Sequence, residues 1–204
     1  MEEQISKIMK VIGLAERLKY EMRHSWLSNG RQESVAEHTW RMSLMAILVH
    51  PYLDAKVDLE KLLKMIVIHD LIEAEAGDVP AFEAMNDPDV KKLKEEKEYA
   101  AIVNLKKNLP EELGKDIFDL WMEFEEKATY VAKVANALDK LEVQIQHNEA
   151  DLSTWLDVEK EMTFKMGKHV EFDSFLTKLK DRIEQVGEEK MVAAGVAFEK
   201  ECTK

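Results

Sequence analysis

The segment that most constrains this chain is Met65-Ile66-Val67-Ile68-His69-Asp70-Leu71-Ile72-Glu73-Ala74-Glu75-Ala76-Gly77-Asp78-Val79-Pro80. An apolar run of this kind belongs in a core, and a core tolerates charge only when the charge is paired or binds a metal. On a helix, His69 and Glu73 lie four apart and Asp70 and Glu73 three apart, so all three project from one side. Leu59, Leu62, Leu63 and Ile66 precede them on the same stripe, and the polar cluster continues the face that looks inward. Imidazole and carboxylate are both ligands for divalent cations. A core histidine satisfied by a backbone or water partner explains the His-Asp dipeptide alone just as simply, so the segment has to be weighed with the rest of the chain.

The setting is helical. Only seven Gly and four Pro interrupt 204 residues, and strong helix formers dominate. No strand alternation, repeat or linker stands out. We therefore expect an all-α fold and a single domain over residues 1–204, with a core at about 8–150 and further helices at about 151–204. The single Cys202 forms no internal disulfide and points to a reducing compartment. There is no membrane-spanning apolar run and no signal-peptide core, so a cytoplasmic protein is expected. The net charge of −12, without a basic stripe, argues against nucleic-acid polymers as partners, and nothing suggests a membrane surface. A small anionic substrate stays open if a few Arg or Lys converge locally.

Along the chain, Ile5, Ile8, Met9, Ile12 and Leu14 give a first helix over about 2–17. A polar loop over about 19–32 holds Arg23, Trp26 and Arg31, with Asn29-Gly30 as a turn. Ser34-x-x-Glu37 has the form of a capping box opening the next helix, which ends near Pro51. Asp58 caps the helix that carries the His-Asp segment to Gly77. Asn86-Asp87-Pro88 is a further breaker. Helices follow over about 89–108, 110–126 and 129–150, and Phe172, Phe175, Leu176, Leu179 and Ile183 mark a last one.

His38 lies in line with Met42, Met45 and Val49 on its helix. Asp139 sits inside a helix, where its propensity is poor, at the edge of a stripe of Val131, Ala135, Leu138, Glu142 and Ile145. His38, His69, Asp70 and Asp139 thus come from three helices and can converge inside a bundle. Singly, each has a plain structural explanation. Together, two imidazoles and two carboxylates suit one divalent ion with positions left for water and substrate. The other histidines supply no second set. Glu73 serves equally well as a base toward a metal-activated water or as a partner hydrogen-bonded to His69 or the loop. Nucleophile elbows and Gly-rich phosphate loops are absent, which leaves hydrolysis by metal-activated water.

The ordered set His38, His69-Asp70, Asp139 resembles the H…HD…D signature of HD-domain metal-dependent phosphohydrolases. Arg31-Gln32-Glu33-Ser34-Val35-Ala36-Glu37-His38, the stretch from His69 to Pro80, and Leu138-Asp139-Lys140-Leu141-Glu142 are similar to segments of the HD-domain 5′-deoxynucleotidases. The resemblance implies an HD-domain helical bundle, usually a homodimer, that removes the 5′-phosphate from deoxyribonucleoside monophosphates. It implies that His38, His69, Asp70 and Asp139 bind one divalent ion (Co, Mn, Zn, Fe, Ni or Mg), that Glu73 activates water, and that Asp78 contacts the sugar. Arg23 and Trp26 correspond to an Arg that orients phosphate and a Trp that senses the missing 2′-hydroxyl, with Arg31 a rival for the phosphate. The alternatives are an HD phosphohydrolase for another nucleotide or phosphomonoester, and a non-catalytic, metal-stabilised helical binding protein.

Overall fold

The computed structural model describes residues 1–80, 82, 83 and 87–196. The chain runs through α1 (Glu2–Ala15), a 3-10 turn, β1 (Met22–Trp26), β2 (Gln32–Ser34), α2 (Val35–Val49), α3 (Leu59–His69), the one-turn α4 (Glu73–Ala76), α5 (Pro88–Asn108), α6 (Glu111–Glu126), α7 (Tyr130–Glu149), the short α8 (Asp157–Met162) and α9 (Gly167–Val170), and α10 (Ser174–Ala193). The helical fold class follows the expectation from Gly and Pro scarcity. Asn86 and Cys202 lie outside the described residues.

Helix starts are chemically marked. Ser34 accepts from the Glu37 amide while the Glu37 carboxylate accepts from the Ser34 amide, so the capping box is formed. Asp58 caps α3 through the Glu60 and Lys61 amides, Asp87 caps α5, Thr129 caps α7 and Asp173 caps α10. The central core joins α2, α3, α7 and α10 through residues such as Met42, Leu62, Ile66, Leu138, Leu141 and Leu176. A second cluster packs Ile68 and Ile72 against Ile102, Leu105 and Trp121 of α5 and α6. At Gly114 a Cβ would run into the Lys106 carbonyl, so the close approach of α5 and α6 requires glycine.

Two local expectations are corrected. The stretch read as a loop over 19–32 contains half of an antiparallel hairpin, β1 with β2, pairing Met22 with Ser34 and Trp26 with Gln32 across an irregular register. Asn29-Gly30 does make its turn, with Gly30 at φ 84° and its amide donating to the Leu27 carbonyl at 2.9 Å. The second correction concerns α3, which stops at His69 rather than continuing to Gly77. Asp70 takes φ −94°, ψ 0°, and the Leu71 and Glu73 amides donate to the Ile68 and Asp70 carbonyls three residues back. The tightened turn re-aims Asp70 and starts α4 at Glu73. Gly77 then ends α4 at φ 79°, a conformation that favours glycine.

Candidate metal centre and substrate cavity

α2, α3 and α7 bring three predicted residues to one point. Ligand-type atoms of His38, His69 and Asp139, all buried, lie within 4.8 Å of one another. His38 Nε2 is 3.2 Å from Asp139 Oδ1 and 3.7 Å from Asp70 Oδ2, and His69 Nε2 is 3.0 Å from Asp70 Oδ1. The capping box sets His38 in the first turns of α2, the last residue of α3 is His69, and the turn after α3 swings Asp70 toward both imidazoles.

The far side of each ring is fixed. His69 Nδ1 donates to the Ile66 carbonyl at 2.6 Å, and His38 Nδ1 donates to Glu142. Both Nε2 atoms therefore face the cluster as acceptors when the rings are neutral. His38 Nε2, His69 Nε2 and Asp70 Oδ2 are buried without hydrogen-bond partners. Orphaned buried atoms of this kind, converging from two imidazoles and one carboxylate beside the Asp139 carboxylate, fit a divalent cation, and these four residues would hold it.

The charges agree with that donor set. Against burial, His69, His38 and Arg23 hold the Asp70 carboxyl at about 2. Against burial, Lys140, whose Nζ is 2.8 Å from Asp139 Oδ2, and His38 keep Asp139 ionised well below the usual carboxylate range. Burial and Arg23 work against a charged His38, but Glu142 and Asp139 raise its imidazole to about 10 when no cation is present.

A cavity of about 180 Å³ opens beside the cluster, lined by Arg23, His69, Asp70, Glu73, Asp78 and Lys94 among others. Arg23 Nη1 is 3.6 Å from Asp70 Oδ2, and its buried Nε makes no hydrogen bond but lies 3.7 Å from Glu33 Oε2. Although burial opposes its charge, Asp70, Asp78 and Glu73 keep the guanidinium cationic. Glu73 Oε2 is buried and unpartnered. Burial first, then the charges of Asp70 and Asp78, pushes the Glu73 carboxyl well above its ordinary range. Burial likewise raises Asp78, whose amide donates to Glu21 Oε1 at 3.2 Å.

Two predicted residues stand apart from the cavity wall. Arg31 is bound to Glu37 at 2.6 and 3.1 Å on the outer side of the hairpin. Trp26 packs edge-on against His24, with ring centroids 4.7 Å apart, and His24 in turn contacts Phe82 and donates from Nδ1 to Glu159 Oε1 at 2.8 Å. Sequence reasoning missed Glu33, Arg41 and Lys94. It placed Glu142 on the apolar stripe of α7 without a role; a carboxylate in that stripe was the available signal. Among the described residues a second group, Glu33, His38 and Glu142, shares His38 with the first. Arg41 saturates Glu142, so this group supports the centre rather than duplicating it.

The family model for the HD domain matches residues 15–180. The chain belongs to the HD-domain family. Within it, this HD-domain chain is 34% identical to the zebrafish (Danio rerio) 5′-deoxynucleotidase HDDC2, over 72% of this chain and 70% of that protein. It is 32% identical to the same-named protein of Xenopus laevis, over 71% and 68% of the two chains. Among solved structures it resembles a predicted metal-dependent phosphohydrolase from Magnetospirillum magnetotacticum MS-1, with TM-score 0.78 and 28% identity, covering 96% of this chain and all of that one.

Proposed function

We propose that this HD-domain protein is a metal-dependent 5′-deoxynucleotidase, a phosphoric monoester hydrolase that releases phosphate from deoxyribonucleoside monophosphates. The observation that carries the reading is the convergence of His38 Nε2, His69 Nε2 and Asp70 Oδ2, all without hydrogen-bond partners, beside a cavity that holds a largely buried arginine and a buried, protonation-prone glutamate. The likeness to two proteins named 5′-deoxynucleotidase supports the substrate class.

Bound at His38, His69, Asp70 and Asp139, a divalent cation supplies charge that polarises phosphate and lowers the pKa of water. The chain's own groups do the rest. Arg23 pairs with phosphate oxygens as charge moves toward the leaving 5′-oxygen. Glu73 sits one short turn past the ligands and takes a proton from the attacking water. The water oxygen bonds to phosphorus, the P–O5′ bond breaks, and the proton that Glu73 took is returned, directly or through solvent, to O5′ of the departing nucleoside. Asp78, across the cavity, accepts from a sugar hydroxyl. Arg31 stays with Glu37, which leaves the phosphate to Arg23. Trp26, on the same strand as Arg23 but packed on His24 outside the cavity wall, is assigned no contact with the sugar.

The reading extends to a single domain, because α10 packs into the same core as α2, α3 and α7. It also includes a homodimer and a cytoplasmic location. Exposed large apolar residues on α1 and α2, among them Met9, Ile12, Trp40 and Leu48, support the dimer. No described helix is long and apolar enough to cross a membrane.

The test is phosphate release from matched deoxy- and ribonucleoside monophosphates, after chelation and with Mn, Co, Zn, Fe, Ni or Mg restored. Metal-dependent release favouring the deoxy series is expected. Equal rates on both series would overturn the deoxy preference, and no release with any metal would leave the binding-protein alternative.

A further inference from the structure

Glu142 lies one helical turn beyond Asp139 on α7 and is fully buried. Both of its oxygens are engaged. Oε2 accepts from His38 Nδ1, and Oε1 accepts from Arg41 Nε at 2.6 Å. The hydrogen bonding does not stop there. Arg41 Nη2 donates to Gln146 Oε1 at 2.5 Å, and Gln146 Nε2 donates to the Trp26 carbonyl of β1 at 2.6 Å. A continuous chain therefore runs from the unpartnered face of His38 to the strand that presents Arg23.

We propose that Glu142 is a positioning residue that fixes the tautomer and ring plane of His38 for cation binding, and that Arg41 and Gln146 carry the same hydrogen-bonded unit to the main chain of β1. The cation site and the substrate strand are thereby held in one register. The inference rests on the metal reading above.

The residue types fit this role better than a simple buried ion pair. His38 Nδ1–H needs an acceptor, and Arg41 Nε–H needs another, about the same carboxylate plane. Glutamate supplies both. Glutamine would keep one acceptor and turn an NH₂ toward a second donor, so one of the two bonds must fail. Removing the partner of a metal-ligating imidazole lowers metal affinity about ten- to a hundredfold in general. Gln146 is likewise matched at both ends, its oxygen to Arg41 and its nitrogen to the Trp26 carbonyl, and is itself buried.

The experiment titrates the metal-free full chain with Co(II), reading the dissociation constant and the visible Co(II) bands, for the parent protein, Glu142→Gln, Arg41→Met, Gln146→Leu and His69→Ala. Glu142→Gln should weaken Co(II) binding about ten- to a hundredfold and shift the bands. Gln146→Leu should keep the parent Co(II) affinity within about twofold and raise KM for a deoxynucleoside monophosphate more than it lowers kcat. Glu142→Gln with parent affinity and bands, and only a lower Tm, would make Glu142 a structural residue and overturn the proposal. If Glu142→Gln does not fold, the decision moves to Arg41→Met, which frees the carboxylate's other oxygen. A several-fold affinity loss there supports the proposal, and parent affinity overturns it. An unchanged KM in Gln146→Leu overturns the extension to β1. A parent protein that takes up no Co(II), or a His69→Ala variant that takes it up as tightly, would instead overturn the metal reading itself, and this inference with it.

Discussion

Glu73 stands beside the proposed ligand set rather than inside it, and its burial keeps it ready to hold a proton. Glu73→Gln keeps the shape and removes the base. We expect kcat to fall about 10²- to 10⁴-fold while Co(II) affinity changes little. A matching loss of affinity would instead place Glu73 among the ligands. His38 supplies a second prediction. Without a cation its imidazole is held at about 10, so it carries a proton at neutral pH. A cation at Nε2 must displace that proton. Affinity should therefore rise with pH up to about 10, by as much as tenfold per unit for one proton. Calorimetry at pH 7 in two buffers of different ionisation enthalpy should show about one proton released per cation; none released would mean His38 is neutral in the free site. At this scale much was legible. His38, His69, Asp70 and Asp139 could be picked because each is a ligand-type residue on or beside an apolar stripe. Glu142 met the same criterion and was passed over because nothing in a linear stripe says which buried carboxylate faces an imidazole 104 residues away.

Several helix starts were readable from their caps, although Asp87 and Asp173 cap α5 and α10 without having been read as caps. Ser34, Asp58 and Thr129 each mark a start that the structure confirms through a hydrogen bond to a first-turn amide. Ser34→Ala removes the hydroxyl half of the capping box while the backbone amide of that residue still donates to Glu37, and should cost about 1 kcal/mol, because the Glu37 amide in the first turn of α2 loses its acceptor. For a chain of this size that lowers Tm by roughly 2–4 °C, read by calorimetry. An unchanged Tm would mean that the pairing of β2 alone holds the start of α2. Two features were not legible, for different reasons. The end of α3 at His69 carries no Gly or Pro; the turn at Asp70 is imposed by packing, with Ile68 and Ile72 buried against α5 and α6. The hairpin escaped because β2 has three residues and β1 pairs irregularly, so no alternation survives long enough to count.

For the whole molecule, composition was a sufficient guide to class, since a chain with so few Gly and Pro has little besides helices to build with. It was a poor guide to surface. The periodic apolar residues of α1 promised a buried face, yet α1 has no buried residue, and Ile5, Met9 and Ile12 are 48, 59 and 58% exposed. If a second copy covers them, sedimentation at micromolar concentration will give twice the 23.6 kDa chain mass. A species at the chain mass would remove the homodimer from the reading. The layout of the centre bears on how the protein comes to be loaded. Its proposed ligands sit at 38, 69, 70 and 139, on helices that meet only through tertiary packing, and the brace on His38 comes from α7 as well. During synthesis, the emerging N-terminal half holds three of the four proposed ligands, His38, His69 and Asp70, but has neither Asp139 nor the rest of α7 to organise them. The complete proposed donor set, with its brace, therefore exists only once α7 has been made and packed against α2 and α3, so tight cation binding belongs to the folded core and not to its N-terminal half.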